Sequence, residues 1–62
     1  MELLVKFRKN YTAGRRKYKK GDYSLIMVNG VKRQTAEIWF DNSPETVNTK
    51  LDELFDAVEV IK

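Results

Sequence analysis

Seven cations and two tyrosines crowd the segment from Arg8 to Lys20. They are Arg8, Lys9, Arg15, Arg16, Lys17, Lys19 and Lys20, interleaved with Tyr11 and Tyr18. Lysine and arginine neutralise a phosphate backbone and tyrosine rings stack on bases, the two requirements of sequence-tolerant binding to DNA or RNA. The bland reading of the same run is a solvated loop, or a loop folded against acids of its own chain. No recognition-helix or RNP-type signature accompanies it.

Two other groups can recognise a partner. Asp52, Glu53 and Asp56 fall in what the apolar spacing predicts to be the last turns of a helix. There each exposed carboxylate opposes the dipole by roughly 0.3–1 kcal/mol. Such acids call for a counter-charge, from the basic run or from a basic protein. Ile26, Val28, Val31 and Trp39, with Arg33, are expected on one face of a hairpin. That face is either a second buried layer or an exposed patch for a protein partner or a homodimer contact.

Catalytic chemistry has little to work with. The chain has no histidine and no cysteine, and its three glycines are isolated. Ser24 and Ser43 lack a neighbouring base, and no glycine-rich phosphate loop is present. Asp52 and Asp56, four apart, offer too few oxygens for a divalent ion. The expectation is a protein that is not an enzyme, with no metal and no cofactor. A disulfide-free chain without a signal peptide or an apolar run of membrane-spanning length fits a cytoplasmic, reducing compartment.

Charge is divided along the chain. Residues 1–33 carry ten Lys/Arg against two acids, a net of +8, and residues 34–62 carry two Lys against seven acids, a net of −5. Overall pI is therefore a poor guide to binding. Sixty-two residues make one domain, 1–62, small enough to bury only about 60% of its unfolded surface.

These residues must be positioned by few elements. Leu3, Val5 and Phe7 alternate with polar or outward residues, the period of a half-buried strand. Lys9 to Gly21 reads as a mobile basic loop. Tyr23 to Val28 and Val31 to Phe40 read as strands joined by Asn29-Gly30, the strongest short-range signal for a type I′ hairpin. That turn pairs Val28 with Val31 and Ile26 with Arg33, and places Tyr23, Leu25, Ala36, Ile38 and Phe40 in the core. Ser43-Pro44-Glu45 predicts a helix start, with Val47, Leu51, Leu54, Phe55 and Val58 as its apolar stripe. Val58 to Ile61 closes the chain as a short strand. The fold class is α+β: a small bent antiparallel sheet, one helix in the C-terminal half and a short closing strand.

The segments Leu4-Val5-Lys6-Phe7, Tyr11-Thr12-Ala13-Gly14 and Lys17-Tyr18-Lys19-Lys20-Gly21-Asp22 resemble the opening of small SH3-like barrels. In those, a strand, a long polar loop and a Lys-Gly-Asp corner lead into the next strand. With Leu54 to Ile61 as the close, the chain also resembles small bacteriophage and prophage accessory proteins. The Val-Lys-Phe start and the size are similar to small basic archaeal chromatin proteins. The phage resemblance implies a partly open SH3-like barrel and a small non-enzymatic accessory or host-directed protein. Two functions follow as expectations. One is contact with a nucleic-acid backbone through Arg8, Lys9, Tyr11, Arg15, Arg16, Lys17, Tyr18, Lys19 and Lys20. The other is a protein-interaction module, an inhibitor or adaptor, using Ile26, Val28, Val31, Arg33 and Trp39 or the acids Asp52, Glu53 and Asp56.

Overall fold

A computed structural model describes residues 1–62. Seven strands and one helix follow in the order β1 (Glu2–Phe7), β2 (Tyr11–Ala13), β3 (Arg16–Tyr18), β4 (Tyr23–Val31), β5 (Thr35–Phe40), β6 (Val47–Lys50), α1 (Leu51–Ala57) and β7 (Val58–Val60). Five of them form one antiparallel sheet in the order β6-β5-β4-β1-β7, which does not close on itself, and β2 and β3 form a separate hairpin. The α+β class and the antiparallel sheet are as expected.

Strand alternation builds the core. Val5 and Phe7 of β1, Ser24 and Ile26 of β4, and Ala36, Ile38 and Phe40 of β5 point to one side, where Leu54, Ala57 and Val58 meet them. Leu4, Leu25, Met27 and Trp39 lie on the other side of the sheet and are only partly buried. Burying a Phe, Ile, Leu or Val side chain is worth about 1.5–3 kcal/mol, so the eleven-residue apolar cluster decides the register.

That register overturns the predicted hairpin. Asn29 and Gly30 lie inside β4, where a bulge falls between Val28 and Gly30. The chain reverses later, over Lys32 to Gln34, with the Lys32 amide donating to the Thr35 carbonyl. Ile26 pairs with Phe40, Met27 with Trp39 and Val28 with Ile38. An odd-numbered slip exchanges the two faces of a strand. The β5 core residues were therefore expected correctly, while Tyr23 and Leu25 give up their core places to Ser24 and Ile26. The paired left-handed residues of a type I′ turn occur instead at Asp41 (φ 54°) and Asn42 (φ 61°), closed by a hydrogen bond from the Ser43 amide to the Phe40 carbonyl. Asp and Asn are the non-glycine residues that tolerate this conformation best.

The helix is also shorter than its apolar stripe. Val47 to Lys50 is a strand paired with β5, with Val47 opposite Ile38 and Thr49 opposite Ala36. Val47 and Thr49 are β-branched, which suits a pleated surface better than a helix. Ser43 and Pro44 therefore do not start the helix, which begins at Leu51 without a side-chain cap. Leu54 is buried as expected, whereas Phe55 is exposed. Val58 to Val60 forms the expected short closing strand, and it pairs with β1.

Candidate nucleic-acid interface

The basic segment is an ordered hairpin and not a loose loop. Tyr11 pairs with Tyr18, Thr12 with Lys17 and Ala13 with Arg16. Its tip turns at Gly14, whose positive φ of 60° favours glycine, and a Cβ there would approach Val47 to 3.2 Å. Residues 11–18 make no backbone hydrogen bond to the five-stranded sheet; side chains hold the hairpin down. Tyr18 stacks on Phe7 with centroids 4.4 Å apart, Tyr11 stacks on the same ring at 5.7 Å, and Tyr18 also meets Phe40 at 5.9 Å.

This packing corrects the expected role of Tyr18. Tyr18 is buried and its ring is enclosed by Phe7 and Phe40, so it offers no platform to a base. Tyr11 is partly buried against Phe7. The Tyr18 hydroxyl donates to Asp41 Oδ2 at 2.7 Å, while the Leu25 amide donates to Asp41 Oδ1 at 3.0 Å. Burial, then the bond to Asp41, pushes the Tyr18 pKa above its usual value. Ser24 lies near enough to temper that rise, but its geometry completes no hydrogen bond, and its Oγ is a buried polar atom without a partner. Tyr11 is likewise raised, by burial first and by the charge of Glu53 second.

The cations divide into two sets. Arg8 donates to the carbonyls of Phe55 at 2.9 Å and Val58 at 2.6 Å, and its amide donates to Ala57. It thus supplies the positive charge that the last turn of α1 lacks. Lys9 pairs with Asp56, whose pKa the hydrogen bond and charge of Lys9 hold below the ordinary value. Arg16 lies 3.9 Å from Asp41. In contrast, Arg15, Lys17, Lys19 and Lys20 have no carboxylate within 4.0 Å, and all four are exposed.

Two open grooves run beside these free cations. One, of about 360 Å³, is lined by Asn10, Tyr11, Thr12, Lys17, Tyr18 and Lys19. The other, of about 440 Å³, is lined by Lys6, Phe7, Arg8, Lys20, Gly21 and Glu59. The segment Lys19-Lys20-Gly21 passes between them. The Lys20 amide donates to Asn10 Oδ1 at 3.0 Å and the Gly21 amide to the Phe7 carbonyl at 2.8 Å.

Lys6 and Tyr23 belong to this region although the sequence pattern did not select them. Lys6 read as an outward strand residue and Tyr23 as core. Tyr23 is 57% exposed, and the Lys6 ammonium lies 5.6 Å from its ring centroid. Their adjacency follows from the pairing of β1 with β4, which no local pattern announces.

The other predicted surface is dispersed. Ile26 is fully buried and Val28 lies on the core side, partly buried. Trp39 is on the opposite side, paired with Met27, its indole N–H donating to Thr46 Oγ1 at 3.0 Å. Val31 is exposed beyond the bulge and Arg33 lies in the turn. These residues do not form one patch, because the register moved Ile26 and Val28 inward. The acids are also redistributed. Asp52 and Glu53 stand in the first turn of α1, the favourable end of its dipole, and only Asp56 is near the last.

No family model, no curated protein and no solved structure matches this chain. The resemblances to phage accessory and archaeal chromatin proteins therefore rest on the quoted residues alone. No helix is long and apolar enough to cross a membrane.

Proposed function

We propose that this is a non-enzymatic accessory domain that grips the backbone of a nucleic acid through the outward face of its basic hairpin. The observation that carries this reading is the division among the cations. Arg8 and Lys9 are committed to the helix, yet Arg15, Lys17, Lys19 and Lys20 remain exposed and without carboxylate partners. Solvated lysines on an ordered hairpin release counterions from phosphate at little conformational cost. We read the fold as a partly open SH3-like barrel. The order β6-β5-β4-β1-β7, with a hairpin packed on the core between β1 and β4 and a short helical segment before the last strand, supports that reading.

Replacing Arg15, Lys17, Lys19 and Lys20 together with glutamine tests the function. Duplex affinity should fall log-linearly with salt, with a slope of about −0.9 per phosphate contacted, and the variant should flatten that slope while melting like the parent. An unchanged slope, or no binding to any nucleic acid at low salt, removes the reading. The uncovered side of the sheet, where Leu4, Leu25, Met27 and Trp39 lie partly exposed, favours a second function as a protein-interaction module. If the neutralised variant keeps all its partners, that is the surface left to explain them.

A further inference from the structure

Tyr23 pairs with Lys6, which lines the basic groove that runs along the end of β1. More than half of its surface reaches solvent, and the Lys6 ammonium sits 5.6 Å from the ring centroid. The groove itself contains Lys6, Arg8 and Lys20, three cations against the single acid Glu59. Gly21 leaves its floor open, since a side chain there would meet nothing within 4 Å. Its volume of about 440 Å³ falls within the roughly 300–1,000 Å³ of small-ligand sites.

We propose that this groove takes one nucleotide unit of a single strand, with a phosphate held at Lys20 and its base on the ring of Tyr23. The inference rests on the reading of the hairpin as a polyanion surface and adds the class of strand. Tyr18 is buried between Phe7 and Phe40 and receives no base, and Tyr11 gives one face of its ring to Phe7. Tyr23 is the most exposed of the three tyrosines, and it is already next to an ammonium. A duplex keeps its bases stacked on each other and gains nothing from an exposed ring. An unpaired base gains roughly tenfold to a hundredfold in affinity from aromatic stacking. Glu59 pairs across from Lys6 and the Arg8 guanidinium is held by the helix-end carbonyls, which confines the phosphate to the Lys20 end.

Fluorescence anisotropy with a labelled oligothymidylate, a duplex of equal length and unlabelled thymidine monophosphate tests the site. The wild-type protein is compared with Tyr23→Ala and Tyr23→Phe, both at an exposed position. Tyr23→Ala should weaken single-strand binding about tenfold with an unchanged salt slope and leave duplex binding alone, and Tyr23→Phe should restore the parent affinity. Equal losses for single strand and duplex, or no loss for either, would overturn the site while leaving the hairpin reading intact. Displacement of the oligonucleotide by equimolar monophosphate would assign the groove to a free nucleotide and overturn the strand. A wild-type protein that binds neither nucleic acid removes the hairpin reading and this site together.

Discussion

The β2–β3 hairpin and helix α1 are both short, charged and outside the five-stranded sheet, but they are attached in opposite ways. The helix is stitched at both ends by the backbone. The Leu51 amide donates to the Gln34 carbonyl, and Arg8 meets Ala57 through its amide and Phe55 and Val58 through its side chain. The hairpin has no such stitch and adheres through Tyr11, Tyr18 and the Asp41 carboxylate. Charge follows attachment. Around the helix, Asp52 and Glu53 complement the dipole and Asp56 meets Lys9. On the hairpin, Arg16 lies near the Asp41 carboxylate that anchors it, while Arg15 and Lys17 are exposed without a carboxylate partner. Charge thus serves cohesion around the helix and is left largely free on the hairpin.

Phe7 offers the hardest test of that contrast, because it carries the hairpin's aromatic row and pairs with Val58 at the helix end. Phe7→Ala should cost about 3–5 kcal/mol, measured by urea unfolding. A much smaller loss would mean that the hairpin does not rest on that ring.

Asp41→Ala acts on the hairpin and on β4, away from the helix. It leaves the Tyr18 hydroxyl and the Leu25 amide without their acceptor, and should cost about 1–3 kcal/mol. Asp41→Asn keeps a residue suited to positive φ and one acceptor oxygen, so its loss should be smaller. Amide exchange should quicken in residues 11–18 before it does in the helix. Uniform quickening would erase the distinction between the two attachments.

The smallest effect belongs to the helix side. Asp56 is held below the ordinary carboxylate pKa by the hydrogen bond and charge of Lys9. The pair's contribution is therefore complete above the ordinary value and disappears as pH falls through the depressed one. Lys9→Ala should lower the melting temperature slightly at pH 7 and leave it unchanged at pH 2. An equal difference at both pH values would show that Lys9 acts by packing instead.

What was legible in the sequence depended on whether local pattern and burial agreed. The alternation of Leu3, Val5 and Phe7 and the apolar run at Val58 to Val60 both survive as strands of one ladder. Asn29-Gly30 is a sound local turn signal, but a hairpin there sets Ile26 against Arg33. Facing Ile26 with Phe40 buries more apolar surface and wins. Ser43-Pro44-Glu45 suits a helix start, yet β-branched Val47 and Thr49 complete the sheet. The free cations were legible as charge. The enclosure of Tyr18 was not, because a tyrosine among lysines looks the same whether its ring faces solvent or Phe7.

The pairing of Val5 to Phe7 with Val58 to Val60 also bears on how the chain reaches this state. Strand β1 lies between β4 and β7, so its ladder is complete only when residues more than fifty positions apart have met. Closing so long a loop carries an entropic penalty that grows slowly with length, and contacts of such high sequence separation slow the search for the native state. Until residues 58–60 arrive, the edge of β1 away from β4 has bare backbone groups, a template for pairing with another chain.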